Sequence, residues 1–259
     1  MLVSFVRPGG GEAAVGLLAA DGGRVVDLTA IGLEDVYAAL PRAKELERLA
    51  RHLSRAGAVA YDVGSVRLLA PVPYARLVRA DVGAPVGAAE TTLPPLLFAD
   101  PREIAGPGSH LTAAEDALMG VGVAGVVAGG GRDLDERTAA AQIAGVTLFV
   151  EWHDPTAPIA ARDGAGLASG PAIGPLPGDD DELVVAAPGE SARRISLGGA
   201  AGALARSIAA ASRRYTLRAG DIFLHEAGAV DVPLAPGDSA EVVVEASWGA
   251  LAHVARRAG

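Results

Sequence analysis

Two short constellations carry the side chains that can move protons or hold a cation. In Thr147-Leu-Phe-Val-Glu151-Trp-His153 a carboxylate and an imidazole stand two residues apart on an apolar run that reads as a strand, so both leave the same face. In Ile222-Phe-Leu-His225-Glu226 an imidazole and a carboxylate are adjacent. A histidine titrating near neutrality beside a carboxylate can serve as a general acid and base without a metal. Glu151 and His153 are also candidate cation ligands, but two neighbours do not make a metal site unless His225 or Glu226 converges on them. The plain alternatives are a solvated pair at a strand end and a surface-loop His-Glu pair. His52, His110 and His253 stand alone, and no role is assigned to them.

Two apparent motifs fall away on context. Gly120-Val-Gly122-Val-Ala-Gly125 matches G-x-G-x-x-G, yet a dinucleotide site needs a strand before it and a helix after it. Residues 112–118 read as a turn or short helix, and Val126-Val127 runs into three more glycines, so the order is reversed. With β-branched residues at 121, 123, 126 and 127, the run 118–128 is itself a strand. Gly166-Leu-Ala-Ser-Gly170 misses the serine-hydrolase elbow by one position and lacks its strand-to-helix setting.

The elements that must position these residues are mostly strands. Leu2–Val6, Ala14–Leu18 and Arg24–Leu28 are short strands separated by glycine-rich turns. Leu33–Ala56 has apolar residues at near-helical spacing and is broken by Pro41 into two helices. Val66–Val72 reads as a further strand. A chain of 259 residues, half of them hydrophobic, builds one large domain, with or without a small appendage. Its lack of cysteine excludes disulfides, thiolate ligands and a cysteine nucleophile. A net charge of -9 argues against nucleic acid. The apolar runs are too short and glycine-broken for a membrane span, and the N-terminus lacks a signal-peptide core, so a cytoplasmic protein is expected.

The stretch 118–154 resembles the core of the fumarylacetoacetate hydrolase family. It matches in Leu118-Met-Gly-Val-Gly-Val-Ala-Gly-Val-Val-Ala128, then Asp133-Leu-Asp-Glu-Arg-Thr-Ala-Ala-Ala-Gln-Ile-Ala144, then Gly145-Val-Thr-Leu-Phe-Val-Glu151. The likeness continues through Ile104-Ala-Gly-Pro-Gly108, Ile173-Gly-Pro175, Tyr215-Thr-Leu-Arg-Ala-Gly-Asp-Ile222 and Leu234-Ala-Pro-Gly-Asp238, and so covers almost the whole chain. It implies a mainly β fold with some α, a rolled mixed sheet (β-roll or barrel) over residues 71–259 behind a small N-terminal α+β domain over 1–70. It also implies pairing as a homodimer.

By the same resemblance the family's chemistry is altered. Its two metal-binding glutamates fall on Gly120 and Gly122, and its metal-binding aspartate falls on Glu151. Its lid histidine falls on Gly87, leaving only Glu90 of the pair that activates water, while Asp100 stands where a lysine is common. A neutral threonine-glycine pair becomes His225-Glu226. With no side-chain oxygen at 120 or 122, no metal and no other cofactor is expected. The catalytic candidates are then Glu151, His225, Glu226 and Glu90, and the substrate-binding candidates are His153, Asp100 and Trp152. The leading expectation is a metal-independent enzyme for a small oxo or enol compound, performing lyase, isomerase, cyclase or hydrolase chemistry in specialised metabolism. The alternative is a non-catalytic relative that binds a ligand or an active partner subunit.

Overall fold

Short apolar runs along the N-terminal segment produce β1 (Leu2–Val6), β2 (Ala13–Leu18) and β3 (Arg24–Asp27), all largely buried. The computed structural model describes residues 1–259 apart from 20, 56, 57, 74, 81–95, 100–103, 115, 116, 155, 157–165, 236, 258 and 259. Asp35 caps the short helix α1 (Val36–Ala39) by accepting a hydrogen bond from the Ala38 amide. Pro41 then sits in a 3₁₀ turn, Leu40–Arg42, where its missing N–H does no harm, and α2 (Ala43–Arg55) follows. The break expected at Pro41 is therefore real. β4 (Ala60–Asp62) and β5 (Arg67–Leu68) complete this part, the latter shorter than the strand expected over 66–72.

The larger part contains β6 (Leu77–Ala80), β7 (Leu96–Ala99), β8 (His110–Ala113), β9 (Leu118–Val127), α3 (Glu136–Ala141), β10 (Ile143–His153) and β11 (Leu167–Gly174). It continues with β12 (Glu182–Ala186), β13 (Arg193–Ser196), α4 (Ala200–Ser212), β14 (Ile222–Val230), β15 (Ser239–Ala246) and β16 (Gly249–Arg257). Thr112 and Ala113, expected in a turn or short helix, instead lie in β8, which pairs in parallel with β16. Local pattern could not reveal this, because the partner strand is at the far end of the chain.

Two sheets form. One runs β4-β3-β2-β1-β11-β10-β9-β14-β6-β7, with β5 beside β1; the other runs β13-β12-β15-β16-β8. Pairing is antiparallel except for β14 with β6 and β16 with β8. The architecture is mainly β and mixed, as expected, but both paths are open, so the barrel form of that expectation does not apply. Through Leu2 opposite Ile173, the N-terminal strands extend the large sheet.

β9 and β10 are buried along nearly their whole length because both faces are covered. On one face Val121, Val123, Leu148 and Val150 pack against Leu204 and Ile208 of α4 and against Val242, Val244 and Leu251 of the second sheet. On the other, Ala124, Val126 and Phe149 pack with Leu17, Val26, Leu40, Leu46 and Ile222. No helix among the described residues is long and apolar enough to cross a membrane.

Candidate active site

β9 lies between β10 and β14, and its glycines open a trough on the face shared with Phe149 and Ala124. Glu151 of β10 is opposite Gly120, while Glu226 of β14 is opposite Gly122. Paired residues in neighbouring strands project to the same side, so both carboxylates rise beside positions that carry no side chain. His153, two residues beyond Glu151, joins them. One ligand atom from each of Glu151, His153 and Glu226 lies within 4.8 Å of the others.

The cluster is set deeply. Glu151 is 1% exposed and His153 is 8% exposed, whereas Glu226 is more open to solvent. A Cβ built on Gly120 would lie 2.9 Å from Glu226 Oε2 and 3.1 Å from His153 Cε1. The Glu226 carboxylate therefore fills the space that a side chain at 120 would need. At Gly122 a Cβ would collide with the His225 carbonyl oxygen and lie 2.9 Å from the Phe149 ring. The β9–β14 register shifts between Glu226 and Gly228, a bulge that leaves one extra residue on β14 beside the cluster and re-aims its side chains. No hydrogen-bond partner meets His153 Nδ1, a notable omission for a buried ring nitrogen.

The structure separates His225 from its neighbour. His225 is opposite Val123 and shares that residue's face, toward α4. Burial, and then the positive charge of Arg206 on α4, hold its pKa below the ordinary histidine value. The sequence carried no signal that Arg206 would be its neighbour. Trp152 lies between Glu151 and His153 in the chain and so faces the other way, into the core between the sheets. There it is 5% exposed, edge-on to His253 at 6.5 Å and beneath the Arg257 guanidinium at 5.8 Å. Strand alternation thus removes Trp152 from the side where His153 was expected to orient a substrate. Glu90 and Asp100, the two remaining expected site residues, lie outside the described residues.

No family model and no curated protein matches the sequence. Solved structures do. Maleylpyruvate hydrolase from Sphingobium sp. SYK-6 superposes with a TM-score of 0.73 at 17% identity, over 98% of this chain and 99% of that one. The same enzyme in complex with manganese(II) and pyruvate gives 0.72 at 15% identity, over 99% and 100%. Fumarylacetoacetate hydrolase from the psychrophilic Exiguobacterium antarcticum gives 0.70 at 21% identity, over 99% of each chain. The chain has the fumarylacetoacetate hydrolase fold. A 5-carboxymethyl-2-hydroxymuconate delta-isomerase from Mycobacterium smegmatis has the same fold, with a TM-score of 0.69 at 19% identity over 99% of each chain.

Within this fold, the glycines at 120 and 122 do not leave the trough without acidic groups. The expectation of a centre without metal rested on those two positions having no oxygen to offer, which remains true of them. Glu226 brings an oxygen to the same space from the adjacent strand, and His153 adds a nitrogen. A set of two carboxylates and one imidazole within 4.8 Å fits a divalent cation.

Proposed function

We propose that the chain is an enzyme that moves protons on a small 2-oxo or enol acid, with lyase, isomerase or cyclase chemistry, at the Glu151–His153–Glu226 cluster. The observation that carries the proposal is the convergence of these three groups from β10 and β14 over the glycines of β9. The named substrates of the similar structures, a maleylpyruvate and a hydroxymuconate, are oxo or enol acids. One of these proteins is named a hydrolase and the other an isomerase.

The division of labour follows from position. Glu226, the most open of the three, takes the proton from the carbon next to the substrate carbonyl. His153 holds the oxygen on which negative charge develops, and the enclosed Glu151 fixes the imidazole and substrate in place. Low surrounding dielectric strengthens each of these interactions. A bound divalent cation would polarise the carbonyl and make the same proton more acidic. Glu151, His153 and Glu226 would hold that cation, which would then meet the developing negative charge in place of His153.

Turnover across a panel of 2-oxo acids, acylpyruvates and their enols tests the reading. Glu151→Gln and Glu226→Gln should each lower turnover by about 10²-fold or more, the usual scale for a lost acid or base. His225→Ala, on the far face, should change it by less than about threefold. Full activity in both glutamine variants would refute the proposal. An inert parent protein that still binds 2-oxo acids would favour the second reading, a ligand-binding member of the fold, which the glycines at 120 and 122 support.

A further inference from the structure

We propose that Glu151, His153 and Glu226 form a binding site for a first-row divalent transition metal, in which Glu226 supplies from β14 the carboxylate that position 120 lacks. The inference deepens the functional reading above and rests on the same cluster. Its test reads metal binding, so the two can fail separately.

Three observations converge. First, one ligand atom from each residue lies within 4.8 Å of the others, near the roughly 4.4 Å that can separate two carboxylate or imidazole ligands of one ion, so a small side-chain adjustment brings all three onto it. Second, His153 is 8% exposed and its Nδ1 has no hydrogen-bond partner. Ligation of the ring would account for an imidazole enclosed beside two carboxylates. Third, the cluster occupies space that only glycine leaves open. Any side chain at 120 would meet Glu226 Oε2 and His153 Cε1. Gly120 and Glu226 therefore form an exchange: one strand gives up a side chain, and its neighbour fills the vacated volume with an acid. The bulge beside Glu226 sets the local geometry of β14, and Gly122 lets that backbone approach β9.

The donor types fix the class of metal. Magnesium prefers oxygen ligands in near-ideal octahedra and keeps much of its water. An imidazole in the first shell instead favours the manganese-to-zinc series, in which affinity rises along the Irving–Williams order.

The experiment uses the full chain, stripped with chelator and titrated separately with Mn²⁺, Zn²⁺ and Mg²⁺ by calorimetry, with electron paramagnetic resonance for Mn²⁺. One Mn²⁺ or Zn²⁺ per chain is expected, each bound at least tenfold more tightly than Mg²⁺. His153→Ala and Glu226→Gln should each weaken Mn²⁺ by roughly tenfold or more, since even outer-shell partners are worth that much. The exchange itself is tested by Glu226→Gly alone and then with Gly120→Glu. The double variant should regain Mn²⁺ binding that the single variant loses, with melting curves confirming that both fold. If the double variant does not fold, the His153→Ala and Glu226→Gln titrations decide. Absence of Mn²⁺ and Zn²⁺ binding, binding indifferent to both substitutions, or Mg²⁺ bound as tightly as Mn²⁺ would overturn the proposal. Oxo-acid turnover in a protein that binds no metal would overturn it while leaving the functional reading intact.

Discussion

His225 and Glu226 are adjacent in the chain, yet the pleat of β14 sends one toward α4 and the other into the trough over Gly120. The sequence offered them as one acid–base pair because a loop was expected there, and in a loop neighbours can face the same way. Glu151 and His153 were legible as partners, since i and i+2 on a strand share a face. Their convergence with Glu226 was not, because it depends on which strand flanks β9 and on a bulge at Ala227. His253, to which the sequence assigned no role, carries a testable consequence. It is fully buried, neither ring nitrogen has a partner, and burial alone holds its pKa down to about 4. An unfolded histidine titrates near 6.5, so below that pH the unfolded chain takes up a proton that the folded one refuses. Stability from the neutral ring is complete above about pH 6.5 and is lost as pH falls toward 4, by roughly 3 kcal/mol in all. Melting temperatures measured across this window should fall less steeply for His253→Leu than for the parent. Parallel acid limbs would contradict the assignment.

The position of Glu226 depends on how β14 begins. Arg76 donates to both oxygens of Asp221, at 2.7 and 2.5 Å, and the Arg218 amide donates to Asp221 Oδ2 at 2.8 Å. Asp221 is 2% exposed and immediately precedes β14, while Arg76 immediately precedes β6, the strand parallel to it. This ion pair therefore aligns the two strands where they enter the sheet. Removing the partly exposed arginine leaves a buried carboxylate with only backbone support, so Arg76→Ala should cost about 1–3 kcal/mol, the range for a buried polar group that loses its partner. Urea unfolding would measure it, and a loss under about 0.5 kcal/mol, the scale of an exposed pair, would show that the contact is not structural. Elements with strong local signals were readable in advance: the N-terminal strands, the break at Pro41 and the long strands holding residues 118–127 and 143–153. β8 was missed because its pairing with β16 spans most of the chain.

At the scale of the molecule, two open sheets share one core, and the opposite face of the large sheet, which includes the N-terminal strands, is packed by α1 and α2. The resemblance that named the fold rested on glycine and proline turns and on apolar strands. Glu226 reaches the space over Gly120 from β14, and no reading of single positions in the sequence displays that placement. We further propose that the chain pairs as a homodimer through its strands, as the resemblance implies; light scattering should give twice the chain mass, and a stable monomer at micromolar concentration would contradict it. The central claim is that the cluster over Gly120 moves protons next to a carbonyl. It is tested most directly by proton NMR of pyruvate and 2-oxobutyrate in deuterated buffer. The protein should speed loss of the C3 proton signals, and Glu151→Gln and Glu226→Gln should each slow that exchange by about 10²-fold. Exchange no faster than in buffer, or equally fast in both variants, would contradict the account.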